Sequence, residues 1–367
     1  MNKLMIIIIF SFFVSIYNHV NACTICVKAN NNVILVGNNE DYYEPRTKVW
    51  FFPKTTNLYG RVIWGYDRYL FPFQGGMNDQ GLFVDINAIG FTNWADDPIK
   101  PNLPGDYVEY ILTHCATVDD VIELFQKFDI DLGWIKLVLA DAQGKSAIFE
   151  WLDGKVNVIQ REGDFQVSTN YLSPNEHLEN RNKIAKQILG SQKNPTIDLI
   201  RKTLAATSKD IYFGQTMYST ICDLKKKKIY LYNFHFFEEV VIFDLNEELK
   251  KGNKSYKIPS LFDITSQSEY LFNIIGTQLG ARDLNKLIDE EGINVASQKF
   301  NEMKEMTRTF NQYDFPEWSL RSLGLKYLSE SRFKEAIGIL KLNAETYPES
   351  IEARSSLAEA HRRTGNK

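Results

Sequence analysis

Between Cys23 and about Phe243 the apolar residues recur at two different spacings, and their order along the chain restricts the fold more than any other feature. TICVKA and VILVG flank Asn30-Asn31-Asn32, a turn-forming run, and read as a first β-hairpin. GLFVDINAI, IKLVLADA, SAIFEWL and FQVSTN are further alternating or continuous apolar strands. YVEYILTHCATVDDVIELFQKF and EHLENRNKIAKQIL carry apolar residues at helical spacing. Strands dominate both ends of this region and helices fill the middle. That order predicts an α+β fold with antiparallel sheets covered by helices, not a βαβ succession. The run Lys225 to Lys228, between TMYSTICDL and IYLYNF, reads as a solvated hairpin turn.

After about Ser260 the strand signals fade. EYLFNIIGTQLG and ASQKFNEMKEMTRTF have helical periodicity. From Glu317 onward, Leu320, Leu323, Gly324, Tyr327, Ala336, Leu340 and Pro348 fall at the spacings of the ~34-residue tetratricopeptide pattern. A second unit begins at Ile351, with Leu357 and Ala358 in register, whereas Asn343 stands where a small residue is usual. An ordinary helical hairpin is the bland reading of the same spacing. Arrays of this kind need about three repeats to bury their apolar faces. The tail is therefore expected to pack on the preceding helices or on a protein partner.

Residues 1–22 differ from the rest. Lys3, the apolar run LMIIIIFSFFV and the small residues before Cys23 give the pattern of a secretory signal peptide. The run is shorter than the ~20 residues of a spanning helix, and no later segment is apolar enough to span. An exported protein without a transmembrane segment in its mature chain is expected, periplasmic or extracellular. The 46 acidic and 42 basic residues leave a net charge of −4, so nothing in the balance points to nucleic acid. In an oxidising compartment Cys23, Cys26, Cys115 and Cys222 could form disulfides. CTIC also has the CxxC spacing of a redox motif, but it lacks the preceding strand and following helix that such a motif wants.

Cleavage after Ala22 would give Cys23 both a thiol and a free α-amine. Their ordinary pKa values lie near ~8.5 and ~7.7–8.0, so the amine can take the thiol proton and later protonate a leaving amine. An N-terminal nucleophile brings its own general base, and no histidine is needed. His114, His177, His235 and His361 are scattered and follow no metal-ligand spacing. Asp41 follows the first hairpin, where the chain returns near its start, and a carboxylate there can orient the amine. Taken alone, an Asp in that position is more often a turn or cap residue.

Cys23-Thr24 after the leader, the hairpin ending GNNED, then GMNDQGLFVDINA, LADAQGKSAIFEW and VSTNY resemble the choloylglycine hydrolase family. That family includes bile salt hydrolases and penicillin V acylases, the linear amide C–N hydrolases. The resemblance covers about residues 23–245. It implies a four-layer αββα N-terminal-nucleophile hydrolase sandwich over residues 23–258, followed by a helical extension at 259–315 and a tetratricopeptide-like region at 316–367. Cys23 then matches the nucleophile, Asp41 the acid closing the hairpin, and Asn170 the asparagine of the oxyanion hole. Asn87 lies near the second polar donor. Arg181 is the counterpart of an arginine after the Thr-Asn strand, with a solvated helical arginine as its bland reading. The resemblance implies no cofactor and no metal, a small-molecule N-acyl amide as substrate, and a fold that often forms homo-oligomers.

One departure stands out. Many members of the family read Gly-Arg-Asn before the acid, where this chain has Gly37-Asn38-Asn39. A cation beside a thiol is one of the usual means of lowering its pKa, and here it is missing at Asn38, with Arg46 the nearest replacement in the next loop. Tyr42, Tyr43, Trp50, Phe51 and Phe52 make that loop aromatic. Such clusters are usually core, but the resemblance implies an apolar acyl pocket, with Tyr42, Trp50 and Phe52 as the candidate substrate contacts. Two rival readings stay open. VNAC approximates a lipobox, so Cys23 could instead carry a lipid anchor on a surface lipoprotein with a binding tail. An acyltransferase of the same fold is the other.

Overall fold

The computed structural model describes residues 23–42, 45–67, 72–90, 92–209, 215–263, 265, 268, 280–310, 315 and 317–364. The expected leader (1–22), Tyr43 and most of the helix expected at 269–280 lie outside the described residues. The strands are β1 (Thr24–Ala29), β2 (Ile34–Tyr42), β3 (Thr47–Phe52), β4 (Arg61–Tyr66), β5 (Phe73–Asn78), β6 (Phe83–Ala88), β7 (Ile135–Ala140), β8 (Ser146–Leu152), β9 (Lys155–Gln160), β10 (Phe165–Ser168), β11 (Gln215–Asp223), β12 (Lys228–Asn233), β13 (Val241–Asp244) and β14 (Lys254–Lys257). They form a six-stranded sheet, β10-β1-β2-β11-β12-β13, and an eight-stranded sheet, β14-β3-β4-β5-β6-β7-β8-β9. Every strand pairing is antiparallel.

Side-chain alternation sorts the apolar residues into three layers of core. Ile25, Val27, Val36, Phe51, Trp64, Phe83, Val138 and Cys222 meet between the two sheets. Ile63, Val84, Leu137 and Phe149 turn the other way, toward α1 (Tyr107–His114) and α2 (Val118–Lys127). Cys26, Leu35 and Ile221 leave the six-stranded sheet toward α3 (Asn180–Gly190) and α4 (Ile197–Thr207). The order helix, sheet, sheet, helix is the expected αββα sandwich.

Local chemistry explains the joints. The Asn30 side chain accepts from the backbone N–H groups of Asn32 and Val33, both at 2.9 Å, which closes the β1–β2 turn. The helical periodicity over 107–128 is divided between α1 and α2. Thr117 caps α2 in a box with Asp120, and this local alternative breaks the helix after His114. The lysine run is a turn between β11 and β12, with Lys227 at φ 55°.

Beyond α5 (Leu245–Leu249) and β14 the described residues are helical: α6 (Gly280–Glu291), α7 (Ile293–Phe310), α8 (Glu317–Ser329), α9 (Phe333–Thr346) and α10 (Ile351–Arg363). They have a separate core, in which Leu320, Leu323, Tyr327, Ala336 and Leu340 pack on Leu284, Ile288, Ala296 and Phe300. The tail thus packs on the preceding helices. Gly324 is required at the α8–α9 crossing, because a Cβ there would sit 2.4 Å from Leu340. Among the described residues no helix is long and apolar enough to cross a membrane.

Candidate active site

Cys23 immediately precedes β1 and is buried. The β1–β2 register pairs Thr24 with Asn39, which sets Cys23 beside the Glu40–Asp41 end of β2. Asp41 is fully enclosed and held from two sides. Its Oδ1 accepts from Thr216 Oγ1 at 2.5 Å and its Oδ2 from Arg181 Nη1 at 3.1 Å. Thr216 is on β11, next to a bulge that shifts the β2–β11 register between Thr216 and Tyr218. Bulges commonly re-aim a side chain beside a functional site. Arg181 is steadied in turn by Glu179, whose Oε1 accepts from its Nε at 2.8 Å. Burial raises the Asp41 carboxyl to about 6, against the opposing pull of Arg181, Lys209 and the Thr216 hydrogen bond.

Two amide side chains complete the surroundings. Asn87 on β6 shares the inter-sheet face of Phe83, and its Nδ2 donates to the Cys23 carbonyl at 3.3 Å. Asn170, just after β10, donates from Nδ2 to the carbonyl of Ala88 at 2.6 Å. Each amide nitrogen carries a second N–H, so both residues can still donate to a group bound beside Cys23. The segment that carries Asn170 and Arg181 is fastened from below by fully buried Lys136 on β7. Lys136 Nζ donates to the Tyr171 carbonyl at 2.5 Å and pairs with Glu176 at 2.6 Å. Glu150 on β8 accepts from the Ser173 backbone N–H at 3.0 Å.

The five polar residues expected at the site, Cys23, Asp41, Asn87, Asn170 and Arg181, are therefore brought to one place. The aromatic candidates are not. Residues 47–52 are strand β3 and not a loop, and alternation along it points Val49 and Phe51 between the sheets. Trp50 and Phe52 consequently lie on the outer face, where Trp50 packs edge-on against Phe73 and Phe52 lies under the Arg61 guanidinium. Only Tyr42 of the three is on the inter-sheet face, its ring 4.8 Å from that of Tyr66.

All four cysteines are unpaired thiols. Cys23 and Cys26 are three residues apart on an extended segment, so they point to opposite faces, and Cys26 lies in the core beneath α3 and α4. That excludes a CxxC pair here. Burial raises the Cys26 thiol to about 12. Burial likewise raises the Cys23 thiol, helped by the charges of Glu40, Asp41 and Asp85 and opposed by a hydrogen bond from the Asp41 backbone. Thr216, Lys209, Glu40 and Asp85 were not singled out from the sequence. Glu40 and Asp85 sit inside strands that read as buried, and a charge at such a position is the signal that could have found them. Among the described residues, no group of three or more His, Cys, Asp or Glu side chains could hold a metal.

The model of one family, acyl-coenzyme A:6-aminopenicillanic acid acyl-transferase, matches residues 27–194, a range that begins just after Cys23. A penicillin V acylase of Pectobacterium atrosepticum is 27% identical in a 159-residue alignment that covers 35% of this chain and 42% of that protein. The match thus spans less than half the length of that relative. Among solved structures, a penicillin V acylase of Agrobacterium tumefaciens superposes with a TM-score of 0.54 at 21% identity, over 64% of this chain and 91% of that one. A variant of the conjugated bile acid hydrolase of Clostridium perfringens gives 0.56 at 17% identity, over 66% and 99%. At such identities the two structures speak for the shared fold.

Proposed function

We propose, for a chain whose matches support the choloylglycine hydrolase/penicillin V acylase-like family, that Cys23 is the nucleophile of an exported amide hydrolase. The observation that carries this reading is the placement of Asp41, locked by Thr216 and Arg181, beside Cys23. Removal of residues 1–22 would free the Cys23 amine next to that carboxylate. The raised thiol argues against a standing thiolate, so proton transfer to the amine accompanies attack. Sulfur bonds to the acyl carbon of an N-acylated small molecule. The carbonyl oxygen becomes an oxyanion, which the spare N–H groups of Asn170 and Asn87 can receive. One such preorganised donor is worth ~2.7–4 kcal/mol. The C–N bond then breaks as the ammonium returns its proton to the leaving nitrogen. Water attacks the thioester, releases the carboxylic acid and restores the thiol.

Intact mass of the secreted protein combined with turnover of a panel of N-acyl amides tests this reading. A chain that starts at unmodified Cys23 and releases free amine supports it. Lipid mass on Cys23, or release undiminished in Cys23→Ser, rejects it. The matched family model is named for an acyltransferase, which favours a second reading in which an amine replaces water as acyl acceptor. Turnover that requires an added amine would select it.

A further inference from the structure

Behind Cys23, between the two sheets, lie two carboxyl groups that the scheme above does not use. Glu40 on β2 and Asp85 on β6 are both buried, and no cation is paired with either among the described residues. Glu40 Oε1 accepts from the Tyr66 hydroxyl at 3.0 Å, and its Oε2 has no partner. Asp85 Oδ2 accepts from Asn38 Nδ2 at 2.9 Å and from Trp64 Nε1 at 2.8 Å, and its Oδ1 from the Ile86 backbone at 2.7 Å. Asn38 and Glu40 are two residues apart on β2, on one face, so the amide that bonds Asp85 stands beside Glu40. The cations of the site, Arg181 and Lys209, are on the far side of β2 with Asp41.

Two uncompensated carboxylates this deep cannot both stay ionised. We propose that Glu40 and Asp85 are a positioning pair that retains one proton between them beneath Cys23, so that the nucleophile faces one negative charge there and not two. The other titratable groups facing the pair are Cys23 and Tyr42 from the nearby strand ends, Tyr66 from β4, and Tyr218 and Cys222 from β11, with the Asp41 charge acting on Glu40 from across β2. Tyr66 and Tyr218 are pushed further up by burial and by Glu40, so they stay neutral. Burial lifts Asp85 to about 8, and burial together with Asp85 lifts Glu40. Because the Asp85 charge helps hold the Glu40 proton, the pair keeps that proton after Asp85 has ionised; when it leaves to solvent, a second charge appears under the sulfur and the thiol becomes harder to ionise.

The inference rests on the reading of Cys23 as nucleophile, but its test does not need the substrate. The rate at which iodoacetamide alkylates Cys23 is followed by mass spectrometry from pH 6 to 10 in mature wild type, Glu40→Gln and Asp85→Asn. Either variant should bring Cys23 ionisation down by about one pH unit, a roughly tenfold faster alkylation at the alkaline end of that range, with Cys26 unchanged. Superimposed profiles in folded variants overturn the pairing. Should neither variant fold, the wild-type infrared spectrum decides: a protonated carboxyl band present at pH 7 and diminishing toward pH 10 supports the pair, and its absence at pH 7 overturns it. Amide turnover that survives in Cys23→Ser would instead sink the nucleophile assignment and leave the alkylation result standing.

Discussion

Cys23 and Cys26 have the same side chain on neighbouring positions, yet the fold gives them opposite surroundings. Cys26→Ser should retain amide turnover, at a cost in stability from a polar atom placed in the core beneath α3 and α4. Cys23→Ser should lose nearly all of it. Equal losses in initial-rate assays would return the pair to a CxxC reading. Asp41 supplies a second prediction. Its folded carboxyl titrates at about 6, above its ordinary value, so it contributes stability below the unfolded pKa that is lost as pH rises through 6. Activity runs the other way, because only the ionised form can hold the amine. Turnover should therefore fall below pH 6. Arg181→Gln removes a cation that lowers this pKa, so it should move the acid limb of kcat/KM upward; an unmoved limb means that Asp41 is not the group titrating. The sequence made Cys23 and Asp41 legible because a leader and a hairpin mark them by position. Thr216 and Asp85 are not placed by sequence, since only the pairing of β2 with β11 and the stacking of the sheets bring them to the site.

Elements show where pattern reading worked and where it ended. The hairpin β1–β2 and strands β6, β7, β8 and β10 follow from alternation and turn residues within short stretches. β4 and β5 carry no clear strand pattern in the sequence because glycines interrupt them. Gly75 and Gly76 are needed where a Cβ would meet Asp85 at 2.2 Å and the Val62 carbonyl at 2.4 Å, so the interruption has a packing cause invisible in one dimension. The assignment of Trp50 and Phe52 to the acyl pocket failed on parity, since a strand shows alternate residues to opposite layers. The segment from Thr169 to Asn182 gives a prediction at this scale. It carries both Asn170 and Arg181, and Lys136 and Glu176 tie it to β7. Lys136→Met leaves Glu176 without its cation in a buried place and should cost about 3–5 kcal/mol in urea unfolding. Adding Glu176→Gln should recover part of that loss. A single-variant cost under ~1 kcal/mol would show that the ion pair does not hold the segment.

The whole molecule joins a two-sheet sandwich to a helical tail with a core of its own, and the contact between them is slight where it can be named. Arg363 at the end of α10 pairs with Asp131 at 3.3 Å and lies 5.7 Å from the Trp94 ring centroid, with both ion-pair partners about one-third exposed. Exposed pairs of this kind contribute ~0–1 kcal/mol. The tail's integrity must come from its interior, where Leu340 is fully buried against Gly324 and neighbouring helices. Leu340→Ala should cost about 2–5 kcal/mol, whereas Arg363→Ala should cost less than ~1 kcal/mol. Hydrogen exchange reads both the size and the reach of the effect, because separately packed cores open as separate units. In Leu340→Ala, amides of α8 and α9 should exchange faster while those of β1 and β2 keep their wild-type protection. Faster exchange in β1 and β2 as well would mean that the tail and the two-sheet sandwich unfold as one cooperative body, and that the tail's core supports the surroundings of Cys23 from a distance.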